Sequence, residues 1–318
     1  MRRSQVDDLS ARVAQRWRTI DPLLPARVEL EPDCGVELAV HGPAGGLAAL
    51  GICHHWAVTA DSLDLTWGAA TRYQLRVLVA DLGDPAPIDT LLSAWGEHLH
   101  GIGGASDDDT SAVVTWPSRD VGGVKALLAH GLAPLAVIAA RTAALASAPN
   151  WAASADVHVR RAGPSDIDEL VRLGLDVIRF DALVSAVTER PGTANALRRD
   201  VAALLSHAQP WIWLAEDRGS AVGALIAERP EEARWTAPLV GPAPSAYLLL
   251  LGVSPDLRGR GVGAAMTAHL HREVTTASVA VTLLHYAQAN PLSAPFWSQQ
   301  GYRPLWTVWE AQPAGNLR

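Results

Sequence analysis

The sequence predicts an α/β fold in which a mixed, mostly antiparallel sheet is flanked by helices, with two such domains in tandem. Three observations carry this expectation. The chain has 318 residues, 49% of them hydrophobic, which suffices for about two cores. After residue 156, segments of period two alternate with segments of helical period in the order β-α-α-β-β-β-α-β-α-β. A short motif around Gly131 returns around Gly301, at an offset of 170 residues.

The elements follow in order. Residues up to about Trp17 pattern as an amphipathic helix, and the N-terminus lacks the apolar middle region of a signal peptide. Residues 135–140 form an apolar run of strand length. Residues 143–153, small and interrupted by Pro149, read as a linker, which places the domains at 1–145 and 154–318. Residues 157–161 alternate as a strand. Pro164 then opens a helix, with Ser165 and Asp166 at its start and Ile167, Leu170, Val171 and Ile178 on one face. Residues 195–205 form a second helix. Residues 211–215 and 221–227 form a hairpin around the turn 216–220. A strand ending near Val253, a helix at 263–274, a strand at 279–286, a helix at 293–300 and a strand at 304–309 complete the chain.

Charge and composition exclude several functions. A net charge of −7 argues against a nucleic-acid partner. No segment approaches the roughly 20 apolar residues that span a bilayer, so no membrane partner is expected. Two cysteines, Cys34 and Cys53, without a CxxC spacing, suit a reducing cytoplasm. His54 and His55 are adjacent and would diverge on a strand, so no metal site is expected.

The chemistry concentrates at residues 247–263. An apolar strand runs into a turn containing Arg258, Gly259, Arg260, Gly261, Val262, Gly263 and Ala264, and a helix follows. Backbone N–H groups at the positive end of a helix dipole suit a pyrophosphate. A nicotinamide-binding turn would need an acidic residue about 20 positions on, and no Asp or Glu occurs between Glu273 and Glu310. A Walker-type loop needs a lysine, and the only one in the chain is Lys125.

The strand order, the turn 258–263 and the segment from Asn290 through Phe296 and Trp297 to Gly301 and Tyr302 resemble the GNAT superfamily of acyl-CoA N-acyltransferases. The resemblance covers about residues 157–313. It implies acetyl-CoA as cofactor and N-acetyl transfer to a primary amine of a small molecule or peptide. It implies that Leu251 and Val253 line pantetheine, with a backbone N–H, most simply that of Val253, polarising the thioester. The N–H groups of 258–264 would hold the pyrophosphate, and Asn290, Ser293, Phe296 and Trp297 would border the cofactor. Asn290 could equally cap the following helix. Tyr247 holds the position of a glutamate base in some members. His285 holds the position of the base in others, and an imidazole suits proton removal. Glu228 and Glu231 are alternatives. Trp297 stands where many members have the tyrosine that protonates the thiolate; Tyr286 and Ser293 are the nearby hydroxyls.

The first half carries a worn copy. Its counterpart turn, near residues 77–87, has one glycine, two prolines without N–H donors, and Asp81, Asp84 and Asp89. We expect no CoA site there, and a role in shaping the acceptor cleft or supporting the second half. The tryptophans, Trp235 among them, are expected mostly in cores and interfaces, with a few lining an apolar or aromatic acceptor cleft. The expected protein is a cytoplasmic monomer or homodimer with one cofactor site. The alternative is a non-catalytic acyl-CoA-binding regulatory module.

Overall fold

The computed structural model describes residues 3–28, 35–144 and 157–318, so Cys34 and most of the expected linker lie outside the described residues. Helix α1 (Arg3–Ile20) precedes strands β1 (Val36–His41), β2 (Leu47–Ala57) and β3 (Thr71–Val79). Helix α2 (Ala86–His100), strand β4 (Thr110–Pro117), helix α3 (Val124–Ala129) and strand β5 (Ala133–Thr142) complete the first half. The second half runs β6 (His158–Arg161), α4 (Ile167–Asp181), α5 (Thr193–Leu205), β7 (Trp211–Asp217), β8 (Ser220–Glu228), β9 (Ser245–Val253), α6 (Val262–Thr276), β10 (Val281–Ala287), α7 (Ser293–Gln299) and β11 (Arg303–Ala311).

The elements form for local reasons. The β7–β8 hairpin turns at Arg218 and Gly219, both at positive φ, the conformation that a tight two-residue turn requires. In α4 the apolar stripe Leu170, Val171, Leu173, Gly174 and Ile178 is buried, while Asp168 and Glu169 sit in the first turn, where the helix dipole favours them.

The described strands form one sheet in the order β1-β2-β3-β4-β11-β5-β10-β9-β8-β7-β6. Only β3–β4 and β9–β10 pair in parallel, so the sheet is mixed and mostly antiparallel, as expected. The sequence did not reveal that the halves exchange their last strands. β11 lies between β4 and β5, and β5 lies between β11 and β10. The register obeys a pseudo-twofold: Val114 pairs with Trp309 and Leu284 with Ala139, and a shift of 170 residues interchanges these two pairs. Gly131 and Gly301 share a φ of +84°, so the offset read from the sequence marks equivalent turns.

Burial follows this arrangement. One cluster lies under α2 and a second under α6 and α7, with Trp95 and Leu270 fully buried in them. A third joins the halves: Leu9, Val13 and Trp17 of α1 pack over Leu50, Ile138, Leu283 and Trp306. Each fully buried large apolar side chain contributes roughly 1.5–3 kcal/mol, so this shared core holds the two halves in one body. Asp21, 2% exposed, seals it by accepting both guanidinium N–H groups of Arg303. Among the described residues no helix is long and apolar enough to cross a membrane, and no group of His, Cys, Asp and Glu could hold a metal.

Candidate active site

The site begins at an opening in the sheet. β9 and β10 pair in parallel only over Ser245–Leu248 and Val281–Leu284. Beyond Leu248 and Leu284 they no longer pair with each other, although β9 still pairs with β8 and β10 with β5. A bulge initiates the divergence: Ala227 pairs with Leu248 and Ile226 with Leu250, leaving Leu249 as the extra residue. Leu251 and Val253 therefore lie on a strand edge that β10 no longer covers.

The glycine turn closes one end. After a single 3-10 turn at Pro255–Leu257, Gly259 has φ +75° and Gly261, the residue before α6, has φ +86°. A side chain at either position would be strained. No side chain caps α6, so the N–H groups of Val262, Gly263 and Ala264 point out of the helix start. A Cβ on Gly263 would lie 3.3 Å from the Phe296 ring, so glycine lets α6 and α7 approach. Arg258 is tied into the fold: its Nε donates to the Val253 carbonyl at 3.2 Å and its guanidinium stands 4.8 Å from the Phe180 ring centroid. Arg260 is exposed.

The α7 side is structural. Asn290, 5% exposed, accepts the N–H groups of Leu292 at 2.9 Å and Ser293 at 3.2 Å. It donates to Asp181 Oδ1 at 2.7 Å. These bonds suit the helix-entry role left open for Asn290, at the start of α7. Burial raises the pKa of Asp181, an effect opposed by the Asn290 hydrogen bond and the nearby Arg258 charge. Trp297 is buried, in T-shaped contact with Phe296 at 4.8 Å and Tyr302 at 5.3 Å between ring centroids. Ser293 and Tyr286 are half-buried, and burial raises the Tyr286 pKa.

The other candidate residues meet on the α4 face. Tyr247 Oη and His285 Nδ1 lie 3.0 Å apart, and which of them donates follows the imidazole tautomer. His285 is the first β10 residue past the paired stretch. Its ring is open to the cleft, yet the protein packed around it lowers its pKa to about 4. Burial, then the charge of Glu228, raises the Tyr247 pKa. Glu228 pairs with Tyr247 across β8 and β9. Burial, and then Glu232, raise its pKa against the lowering effect of a 2.8 Å hydrogen bond from Trp235 Nε1. Trp235 was not singled out from the sequence as a site residue. The detectable signal was Glu228 itself, a carboxylate ending the row Ala224, Ile226, Glu228 on one strand face.

The first half repeats the opening but not the turn. β3 and β4 pair only over Thr71–Leu75 and Thr110–Val114. The turn then satisfies its own donors: Asp81 accepts the Gly83 N–H at 2.8 Å and Asp84 accepts the Ala86 N–H at 3.0 Å. This half also braces the segment after α4. Thr66 and Thr193 share a buried hydrogen bond of 2.9 Å, and Arg190 grips both Asp109 oxygens at 2.8 and 2.9 Å.

Residues 182–302 match the Acetyltransferase (GNAT) family. Similar solved structures include a GCN5-related N-acetyltransferase from Sphaerobacter thermophilus, at 15% identity and TM-score 0.57, covering 97% of this chain and 92% of that one. A glucosamine N-acetyltransferase region of a fungal multi-domain GH3 beta-N-acetylglucosaminidase aligns at 15% identity and TM-score 0.53, over 96% of this chain and 37% of that one. A GNAT-family acetyltransferase from Colwellia psychrerythraea aligns at 10% identity and TM-score 0.51, over 98% and 97%. No curated protein matches in sequence. The opened parallel pair and the glycine turn both fall within residues 182–302, the segment that matches the Acetyltransferase (GNAT) family.

Proposed function

We propose that this protein is an acetyl-CoA-dependent N-acetyltransferase, with one cofactor site in its second half, acting on a primary amine of a small molecule or peptide. The observation that carries the reading is the β9–β10 opening leading to an uncapped glycine turn. The residues fit the cofactor: the Leu251–Val253 edge can line pantetheine, and the N–H groups of 262–264 can receive a pyrophosphate at the helix dipole. The Val253 N–H is the candidate donor to the thioester oxygen.

Bound acetyl-CoA would supply an acetyl group already activated as a thioester. The chain has then to hold the amine, take its proton and give one to the departing thiolate. His285, with its pKa near 4, stays neutral at neutral pH and is a weak proton acceptor. We assign it to holding Tyr247, which keeps its phenolic proton and can donate it. Glu228, whose pKa is raised, is the better acceptor for the amine proton, directly or through a water. In the first half, Asp81 and Asp84 occupy the corresponding donors, which supports a single site per chain.

Calorimetric titration with acetyl-CoA, followed by an amine panel read as thiol release, tests this. One site per chain and amine-dependent release are expected; absence of acetyl-CoA binding would overturn it. One observation favours a second reading. Trp297 is buried in the core, so the usual tyrosine position offers no hydroxyl. Tight CoA binding with only slow thioester hydrolysis across the panel would favour a non-catalytic acyl-CoA-binding module.

A further inference from the structure

Four side chains at the mouth of the opening form a box that the transfer chemistry alone does not require. Trp235, in the 3-10 segment Ala233–Leu239, is 47% exposed. Its ring makes a T-shaped contact with Tyr247 at 4.7 Å and lies nearly parallel to His285, interplanar 26°, at 6.4 Å between centroids. Its Nε1 is held by Glu228, so the indole is fixed on one edge while much of its surface remains in contact with water. Among the described residues no cation forms an ion pair with Glu228. The neighbouring Arg229 guanidinium instead lies over Trp211, 5.6 Å from the ring centroid, and bonds Glu231 and Gln209. Asp64, from the first half, adds a second negative charge that acts on Tyr247. Arg72, which bonds the main chain of this segment, donates to the Asp64 and Ala69 carbonyls at 2.6 and 3.0 Å.

A half-buried carboxylate without a counter-ion, beside aromatic faces open to solvent, is the chemistry that receives an organic ammonium group. Its position is informative as well. Tyr247 precedes the Leu249 bulge by two residues, and His285 begins the unpaired end of β10. The box therefore adjoins the part of the opening where an acyl group would be presented.

We infer that the Glu228–Trp235–Tyr247–His285 box is the acceptor subsite, and that it selects a primary ammonium carried on an apolar or aromatic body. Glu228 faces the charge, and Trp235 and Tyr247 face the C–H groups around it. The inference rests on the acyltransferase reading and narrows its substrate class. It disfavours acidic acceptors, because Glu228 and Asp64 would repel them.

Benzyltrimethylammonium tests the box without chemistry, since it has no N–H to acetylate; benzyl alcohol is a neutral aromatic of similar size. Both are titrated calorimetrically into the full chain. The cation is expected to bind at least about tenfold more tightly than the alcohol, from cation–π and carboxylate contacts. Glu228→Gln and Trp235→Leu should each weaken it by about tenfold, and Trp235→Phe should retain most of the affinity. All three variants should bind acetyl-CoA as the unaltered chain does. Equal affinity for cation and alcohol, or cation binding unchanged in both Glu228→Gln and Trp235→Leu, would overturn the assignment. The parallel acetyl-CoA titration distinguishes the two levels: its failure overturns the acyltransferase reading, whereas the cation selectivity is read with no cofactor present.

Discussion

Gly261→Glu should abolish acetyl-CoA binding while leaving the protein folded. Two effects add at this position. Gly261 sits at φ +86°, where an L-residue costs roughly 1–2 kcal/mol. The new carboxylate would also stand at the start of α6, where the open N–H groups of 262–264 are proposed to receive two phosphates. At about 5 Å and an effective dielectric near 20, one pair of like charges repels by about 3 kcal/mol, which is roughly a hundredfold in Kd. Gly219 provides the control. It has φ +80° in the β7–β8 turn, and no atom lies within 4 Å of where its Cβ would be. Gly261→Glu and Gly219→Glu should lose similar stability in urea, about 1–2 kcal/mol. Only the former should lose acetyl-CoA affinity in a calorimetric titration. A folded Gly261→Glu protein that binds acetyl-CoA within a few-fold of the unaltered chain would refute the anion-cradle argument.

Three further outcomes are expected. His285→Ala should slow amine-dependent thiol release by about tenfold or more, since it frees Tyr247, while acetyl-CoA affinity stays constant; unchanged turnover would remove His285 from the mechanism. Asn290→Ala should cost roughly 2 kcal/mol in urea denaturation, because two helix-start N–H groups lose their acceptor and Asp181 loses its donor; an unshifted midpoint would contradict the capping role. His271 is 5% exposed, its Nε2 finds no hydrogen-bond partner among the described residues, and burial lowers its pKa to about 3. The folded state keeps it neutral while the unfolded chain protonates it below about 6.5, so its contribution is present above that pH and is lost as pH falls towards 3. At pH 5 the loss is about 2 kcal/mol. His271→Phe should flatten the stability difference between pH 7.5 and pH 5 by that amount, and identical pH dependence of the two proteins would refute it.

The glycine turn proposed to hold the cofactor was legible in the sequence because it is made of neighbours. Gly259 and Gly261, both at positive φ, impose a turn that glycines relax into most readily, and the apolar run before them and the helical period after them are properties of about 20 consecutive residues. The acidic, proline-bearing turn of the first half was legible for the same reason, and Asp81 and Asp84 do engage its donors. On the side proposed for the acceptor, Tyr247, His285 and Glu228 were readable one by one as candidate bases, but their meeting with Trp235 was not. Glu228, Trp235, Tyr247 and His285 come from separate segments, and a lone tryptophan among 12 carries no address. The role of Asn290 was also undecided, since an asparagine three residues before the first residue of a helix can bond its start or face a ligand.

By itself, the sequence determined the local periods, the glycine turn and the 170-residue echo that relates the two halves, because each is written in short-range spacing and backbone preference. Tertiary structure alone decided that β5 and β11 change places between the halves. The two copies offer each strand nearly equivalent edges, so the choice rests on long-range pairing and on the shared core beneath α1. The same long-range assembly carries Trp235 to Glu228 at one end of the β9–β10 opening, and so brings together the side chains of the proposed acceptor box.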